Sequence, residues 1–209
     1  LNNSQSFRVL AFLHLYGEGI EQNSEKAMKY YEQSIKLNNN DSIVSLAFIY
    51  YYGDSVPKDY YKAIKLFELA ASKNVANAFY NLGKMLKRGH GFTKDYIQAK
   101  KKFEEAAELH QPDALYYLGK LYYKGQGVAQ NYKIAKSYYE IAAEQNEPYS
   151  SFKLGYMYEN GIGVQQNISI EEKYYIKAAE NHYCNGLFRL GTHFINGELS
   201  PIDTKKAIE

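Results

Sequence analysis

Leucine stands at Leu10, Leu46, Leu82, Leu118, Leu154 and Leu190, and the interval between them is 36 residues every time. A fixed period of this length marks a chain of identical supersecondary units, none of which can bury its apolar face alone. Three further positions keep the same step. The residue after each leucine is tiny: Ala11, Ala47, Gly83, Gly119, Gly155 and Gly191. Seven residues beyond each leucine comes a glycine (Gly17, Gly53, Gly89, Gly125, Gly161 and Gly197). Further on, Asn23, Asp59, Asp95, Asn131, Asn167 and Asp203 alternate only between Asn and Asp. No insertion interrupts the register.

Each recurring residue has a local physical reason. In the fourth unit Leu115, Leu118, Leu121 and Tyr122 share one face at helical spacing, which predicts a helix A over about Asp113 to Lys124. Gly125 ends it where a positive φ is needed, a conformation that costs a residue with a β-carbon roughly 1–2 kcal/mol. Asn131 suits an N-cap, worth about 1 kcal/mol, for a helix B running from Tyr132 to about Gln145. Helix B brings Ala135, the aromatic pair Tyr138–Tyr139 and the pair Ala142–Ala143 toward its neighbours. The tiny residue after each leucine and the alanine pairs are expected to let helix backbones approach closely. Between units the chain turns at Asn38, Asn74, His110, Asn146 and His182, residue types that tolerate a left-handed backbone. Pro112 and Pro148 follow near the next helix start, where a missing N–H costs nothing.

The run Leu118-Gly119-Lys120-Leu121-Tyr122-Tyr123-Lys124-Gly125-Gln126-Gly127-Val128 and its counterpart Leu154 to Val164 resemble the Sel1-like repeat, as do Ala135, Tyr138–Tyr139 and Ala142–Ala143. The resemblance spans the whole chain, 1–209. It reads as five complete repeats starting near 6, 42, 78, 114 and 150, and a sixth from 186 cut off inside helix B, as in a fragment of a longer chain. It implies an all-α fold, a right-handed α-solenoid related to tetratricopeptide arrays, serving as an adaptor or scaffold for protein complexes. Departures are local. Ala11 and His14 stand where the motif has Gly and Tyr, and Ser55 and Leu199 replace the second glycine. Glu171 takes the helix B position held by Ala27, Ala63, Ala99, Ala135 and Ala207. A carboxylate there is costly to bury unpaired, so local tilting or a salt bridge is expected.

Recurring positions are structural, so function is expected at helix A positions that vary, on the concave face such a superhelix presents. These are Tyr80, Asn81, Lys84, Lys87 and Arg88 in the third repeat, and Tyr116, Tyr117, Lys120, Tyr123 and Lys124 in the fourth. The fifth adds Phe152, Lys153 and Tyr156. Aromatic rings supply anchor area and lysines supply attraction, the combination that suits a peptide with acidic groups or a terminal carboxylate. The alternative is that these are ordinary solvated helix residues. At the level of the whole protein, the alternative is a regulatory or targeting segment of a longer enzyme or signalling protein.

Catalysis and cofactors are not expected. No phosphate loop, G-x-S-x-G or H-E-x-x-H run occurs, and glycine pairs such as Gly125 and Gly127 are absorbed by helix turns. His182, Cys184 and His193 are a conceivable ligand set, but a turn accounts for His182 and helix packing for His193. A net charge of +2 and a discontinuous basic side argue against nucleic acid. Apolar stretches are broken every few residues, so membrane insertion is not expected. A single cysteine rules out an internal disulfide and weakly favours a reducing compartment such as the cytoplasm. It also separates the chain from cysteine-rich relatives associated with β-lactams.

Overall fold

The structure, a computed structural model, describes residues 3–53 and 56–195. Ser55, Gly197, Leu199, Asp203 and Ala207 of the repeat pattern, with the sixth helix B, lie outside the described residues. Among the described residues every regular element is a helix. The chain divides into two compact units, Leu1–His110 and Gln111–Glu209.

The first unit holds α1 (Asn3–Tyr16), α2 (Ser24–Lys36), α3 (Asn40–Tyr52), α4 (Tyr60–Ala71), α5 (Ala76–Arg88) and α6 (Tyr96–Glu108). The second holds α7 (Pro112–Lys124), α8 (Tyr132–Glu144), α9 (Pro148–Asn160), α10 (Ile168–Glu180) and α11 (Cys184–Ile195). Odd-numbered helices are the A helices of the repeat and even-numbered ones the B helices. Within each unit every helix packs on its neighbours in sequence. This is the stacking of an α-solenoid, in which each repeat completes the core of the next.

The ends of the helices follow the chemistry read from the sequence. Asn23, Asp59, Asp95, Asn131 and Asn167 each accept a hydrogen bond from a backbone N–H in the first turn of the following B helix. Gly125 ends α7 at φ +64°. Asn38, Asn74, His110, Asn146 and His182 all adopt a left-handed backbone, with φ between 57° and 63°. The second loop glycine has a role beyond the turn. At Gly163, φ is +70° and a β-carbon would run into the Cβ of Tyr132, at the start of α8. This glycine therefore seats one repeat's loop on the helix B before it.

At Gly83, Gly119 and Gly155 the tiny residue admits a ring. The expected backbone approach accompanies it at Gly119, where a β-carbon would lie 3.1 Å from the Ala135 carbonyl oxygen, while at Gly191 it would meet nothing within 4 Å among the described residues. A β-carbon on Gly83, Gly119 or Gly155 would lie 2.6–2.7 Å from the ring of Phe103, Tyr139 or Tyr175, respectively. Those three rings are fully buried. The space a methyl group would need is already occupied by the neighbouring helix B.

The leucines themselves are buried, from Leu46 through Leu190, but Leu10 is 38% exposed. No helix precedes α1 among the described residues to cover it. Glu171 is buried, and the ionisable group that faces it is His193, whose Nδ1 lies 3.2 Å from its carboxylate.

Candidate functional site

In the first unit the variable positions lie on α5. Tyr80 is half-buried, and the ammonium of Lys84 sits 4.7 Å above the centre of its ring. Such a contact is worth about 0.5–1 kcal/mol at an exposed site and holds the cation in place. Asn81 is buried, and its amide donates to the backbone oxygen and Oδ1 of Asn77, both at 2.7 Å. It serves the helix more than the surface. Lys87 is half-buried and Arg88 exposed, with Arg88 donating to the Tyr51 hydroxyl at 3.2 Å. Tyr51 also pairs with His90 Nδ1 at 2.9 Å, and the His90 ring stacks on Tyr60. Burial, then the charges of Arg88 and Lys58, hold the His90 ring below the ordinary imidazole range. His90 lies in the loop after α5, and the cluster is not legible in the sequence because Tyr51 lies one repeat earlier.

In the second unit the same positions fall on α7 and α9. Lys120 stands over the rings of both Tyr116 and Tyr117, at 5.2 and 5.8 Å, and donates to the Tyr116 hydroxyl. Lys153 reaches from α9 to a point 5.9 Å from the Tyr123 ring and 5.2 Å from that of Tyr156. Lys120, Lys153, Tyr117, Tyr123 and Tyr156 are half-buried and Lys124 is exposed. Burial is the main cause that lowers the Lys153 ammonium below its ordinary value, and the charges of Lys120 and Lys124 add to it.

Two further positions turn inward. Tyr116 is 9% exposed and joins the core around Tyr139 and Leu154. Burial, and then the Glu147 charge, push its hydroxyl up to about 12. Phe152 packs on Tyr175 and Tyr183, at 5.4 and 5.1 Å. Glu147 itself was not singled out by sequence. Its buried carboxylate caps α9 by accepting from the N–H groups of Tyr149 and Ser150. Its place directly before Pro148 was the available signal.

Glu159, which occupies the Tyr123 position one repeat on, joins three helices. It accepts from the Tyr175 hydroxyl, lies 3.3 Å from Arg189 and 3.8 Å from His193. His193 thus belongs to a carboxylate cluster, His182 to a turn, and Cys184 is exposed. No group of three potential metal ligands occurs among the described residues. No helix of the described residues is long and apolar enough to cross a membrane.

The Sel1 repeat family model matches residues 9–39, 41–75, 76–110, 112–147, 148–183 and 185–209. The chain belongs to the Sel1 repeat family. Among solved structures it is similar to a Sel1 repeat protein from Oxalobacter formigenes, with a TM-score of 0.88 and 27% identity, covering 98% of this chain and 85% of that one. It is also similar to a protective antigen with this fold from uropathogenic Escherichia coli, with a TM-score of 0.80 and 27% identity. There it covers 98% of this chain and 44% of the antigen. An immunity protein from Pseudomonas aeruginosa shares the fold at 24% identity and a TM-score of 0.65, covering 98% of this chain and 75% of that protein. No curated protein matches the sequence. Sel1 repeats generally mediate protein–protein interaction, and the scaffold is typically non-catalytic.

Proposed function

We propose that this chain is an interaction scaffold whose A helices bind a peptide carrying acidic groups or a terminal carboxylate. The observation that carries this reading is Lys153. Its ammonium is half-buried, disfavoured by burial and by Lys120 and Lys124, and held over two tyrosine rings. A cation kept in an environment that resists its charge is stabilised when an anion arrives, so a carboxylate bound there gains more than one bound to a solvated lysine. On α5, Lys84, Lys87 and Arg88 supply the same chemistry, with Tyr80 beneath Lys84. The tyrosines add rigid contact area at little entropic cost.

Selection of a displayed library of random linear peptides on the purified protein, followed by fluorescence polarisation with a labelled copy of the enriched peptide, tests the reading. Acidic peptides should be enriched, and Lys120→Glu with Lys153→Glu should weaken their binding by about tenfold or more. Binding should also weaken as pH rises through the depressed Lys153 pKa, since the deprotonated amine no longer attracts a carboxylate. Enrichment of neutral or basic peptides, or binding indifferent to the charge reversals, refutes it.

A further inference from the structure

Two A-helix positions change their chemistry within the first unit. One carries Phe12, Phe48 and Lys84 in successive repeats, and the other, four residues on, carries Tyr16, Tyr52 and Arg88. The first two repeats are therefore aromatic where the third is basic. In the structure Phe48 packs on the core ring of Phe67, but the other three aromatics are not consumed by the core: Phe12 is 43% exposed, Tyr16 60% and Tyr52 53%. The four pair along their own helices, with ring centres 4.7 Å apart for Phe12–Tyr16 and 5.8 Å for Phe48–Tyr52. The two pairs, with Arg8 and the buried Tyr31, bound a cavity of about 590 Å³. Ligand clefts generally fall between about 300 and 1,000 Å³. Exposed aromatic surface around a concavity is costly to leave against water and marks an interaction site.

The surroundings of the cavity say what would fill it. Tyr52 touches Tyr51 edge-on at 5.0 Å, and Tyr51 accepts from Arg88. The aromatic wall thus runs directly into the cationic end of α5. Along α1, α3 and α5 the charged residues are Arg8, Lys84, Lys87 and Arg88 against Asp41 alone. The B helices differ, since α6 sets lysines against its own glutamates in the pairs Lys100–Glu104 and Lys102–Glu105. The A-helix side of this unit is therefore apolar at one end and positive beside it.

We infer that the α1–α3 cavity is an anchor pocket for a bulky apolar side chain of an acidic peptide, whose carboxylates continue toward Arg88, Lys87 and Lys84. This rests on the peptide-binding reading above and adds to it a second requirement, an apolar anchor next to the acids. Charge complementarity selects this occupant over a second copy of the chain, which would bring the same cationic helices against these. Burial of one large side chain in such a pocket, ringed by contacts that exclude water, is the pattern of an interface hot spot.

The test uses peptides enriched from the random displayed library, resynthesised with a dye and titrated against the full chain. The expected sequences carry a Leu, Ile, Met or Phe within a few residues of two or more acids. Replacing that residue by Ala in the peptide, or Phe12→Ala with Tyr16→Ala in the protein, should weaken binding at least thirtyfold. Both protein side chains lie outside the buried core, so the fold should survive, which circular dichroism checks. Ser45→Trp, which fills the cavity from its own wall without removing any ring, should have the same effect. Enriched peptides that are acidic but lack an apolar residue, or affinities unchanged in these variants yet lost in Lys84→Glu with Lys87→Glu, overturn the anchor pocket and leave the acidic-peptide reading intact. Failure to enrich any acidic peptide overturns both. A concentration-dependent dimer abolished by Phe12→Ala would assign the cavity to a second copy and also overturn the proposal.

Discussion

The two units use the same repeat and bury different chemistry in it. In the first, the buried rings at this helix B position are Tyr31, Phe67 and Phe103, two of the three without a hydroxyl, and the other buried polar residues are neutral: Ser4, Ser34, Ser42 and Asn81. The serines satisfy one another, with Ser42 donating to Ser34 and Ser34 to the Ser4 carbonyl. In the second, the equivalent rings are Tyr139 and Tyr175, and two carboxylates, Glu147 and Glu171, are buried alongside Ser150 and Ser151. Hydroxyls and carboxylates in a core must be paired or they destabilise it. The second unit meets this demand at Tyr175, which donates to Glu159, and at Glu147, which accepts from the N–H groups of Tyr149 and Ser150. It does not meet it at Tyr139, whose buried hydroxyl has no hydrogen-bond partner among the described residues. One repeat can thus be filled by hydrocarbon or by a polar network, and only the second kind ties stability to charge.

Four substitutions would sharpen or break this contrast, each read by urea denaturation. His193→Ala should have the largest effect, a loss on the order of 3 kcal/mol, because it removes the imidazole that lies against the two carboxylates of Glu171 and Glu159 and leaves the buried Glu171 facing a void. No single ion-pair deletion in the first unit should approach it, since Lys62–Asp59, Lys100–Glu104 and Lys102–Glu105 are half-exposed pairs within one helix end or face. Gly119→Ala comes next. Its β-carbon would meet the Tyr139 ring at 2.6 Å, and overpacking of roughly 1–3 kcal/mol should exceed the roughly 1 kcal/mol that alanine gains in a helix.

Tyr139→Phe should raise stability by about 1 kcal/mol by removing the unpartnered hydroxyl. An unchanged or lowered midpoint would mean that this hydroxyl is satisfied, and the contrast between the units would weaken. The smallest effect is expected from Glu147→Gln and is visible mainly in its pH dependence. Burial raises the Glu147 carboxyl above its ordinary 4.5 in the fold. The stability linked to it is therefore fully present below the unfolded value and is lost as pH climbs through the raised one. The wild-type midpoint should fall across that interval, and the Gln variant should flatten the slope.

Helix ends were legible without any structure. Asn131, Gly125 and His110 act on backbone groups within about four residues of themselves, so their chemistry is complete in the local sequence. The 36-residue period then ordered those ends into repeats, because a recurring cap and a recurring leucine point to the same unit. The candidate binding positions were legible only in part. Lys84, Lys120 and Lys153 do stand over tyrosine rings, yet Asn81 and Tyr116, chosen by the same rule of variation, turn into the helix and the core. Position in a repeat says which way a Cα–Cβ bond points, not how long a side chain must be before it meets the next helix.

What the residue order determined by itself was therefore the local and the periodic: where each helix starts and stops, and that each repeat needs its neighbour. Tertiary structure alone decided that a ring from helix B fills the place left at Gly83, Gly119 and Gly155. It likewise decided that Glu147 is buried and that Phe12, Tyr16 and Tyr52 stay partly exposed around a cavity. Burial is set by groups on neighbouring helices, and the angle at which two helices meet determines which of those groups arrive.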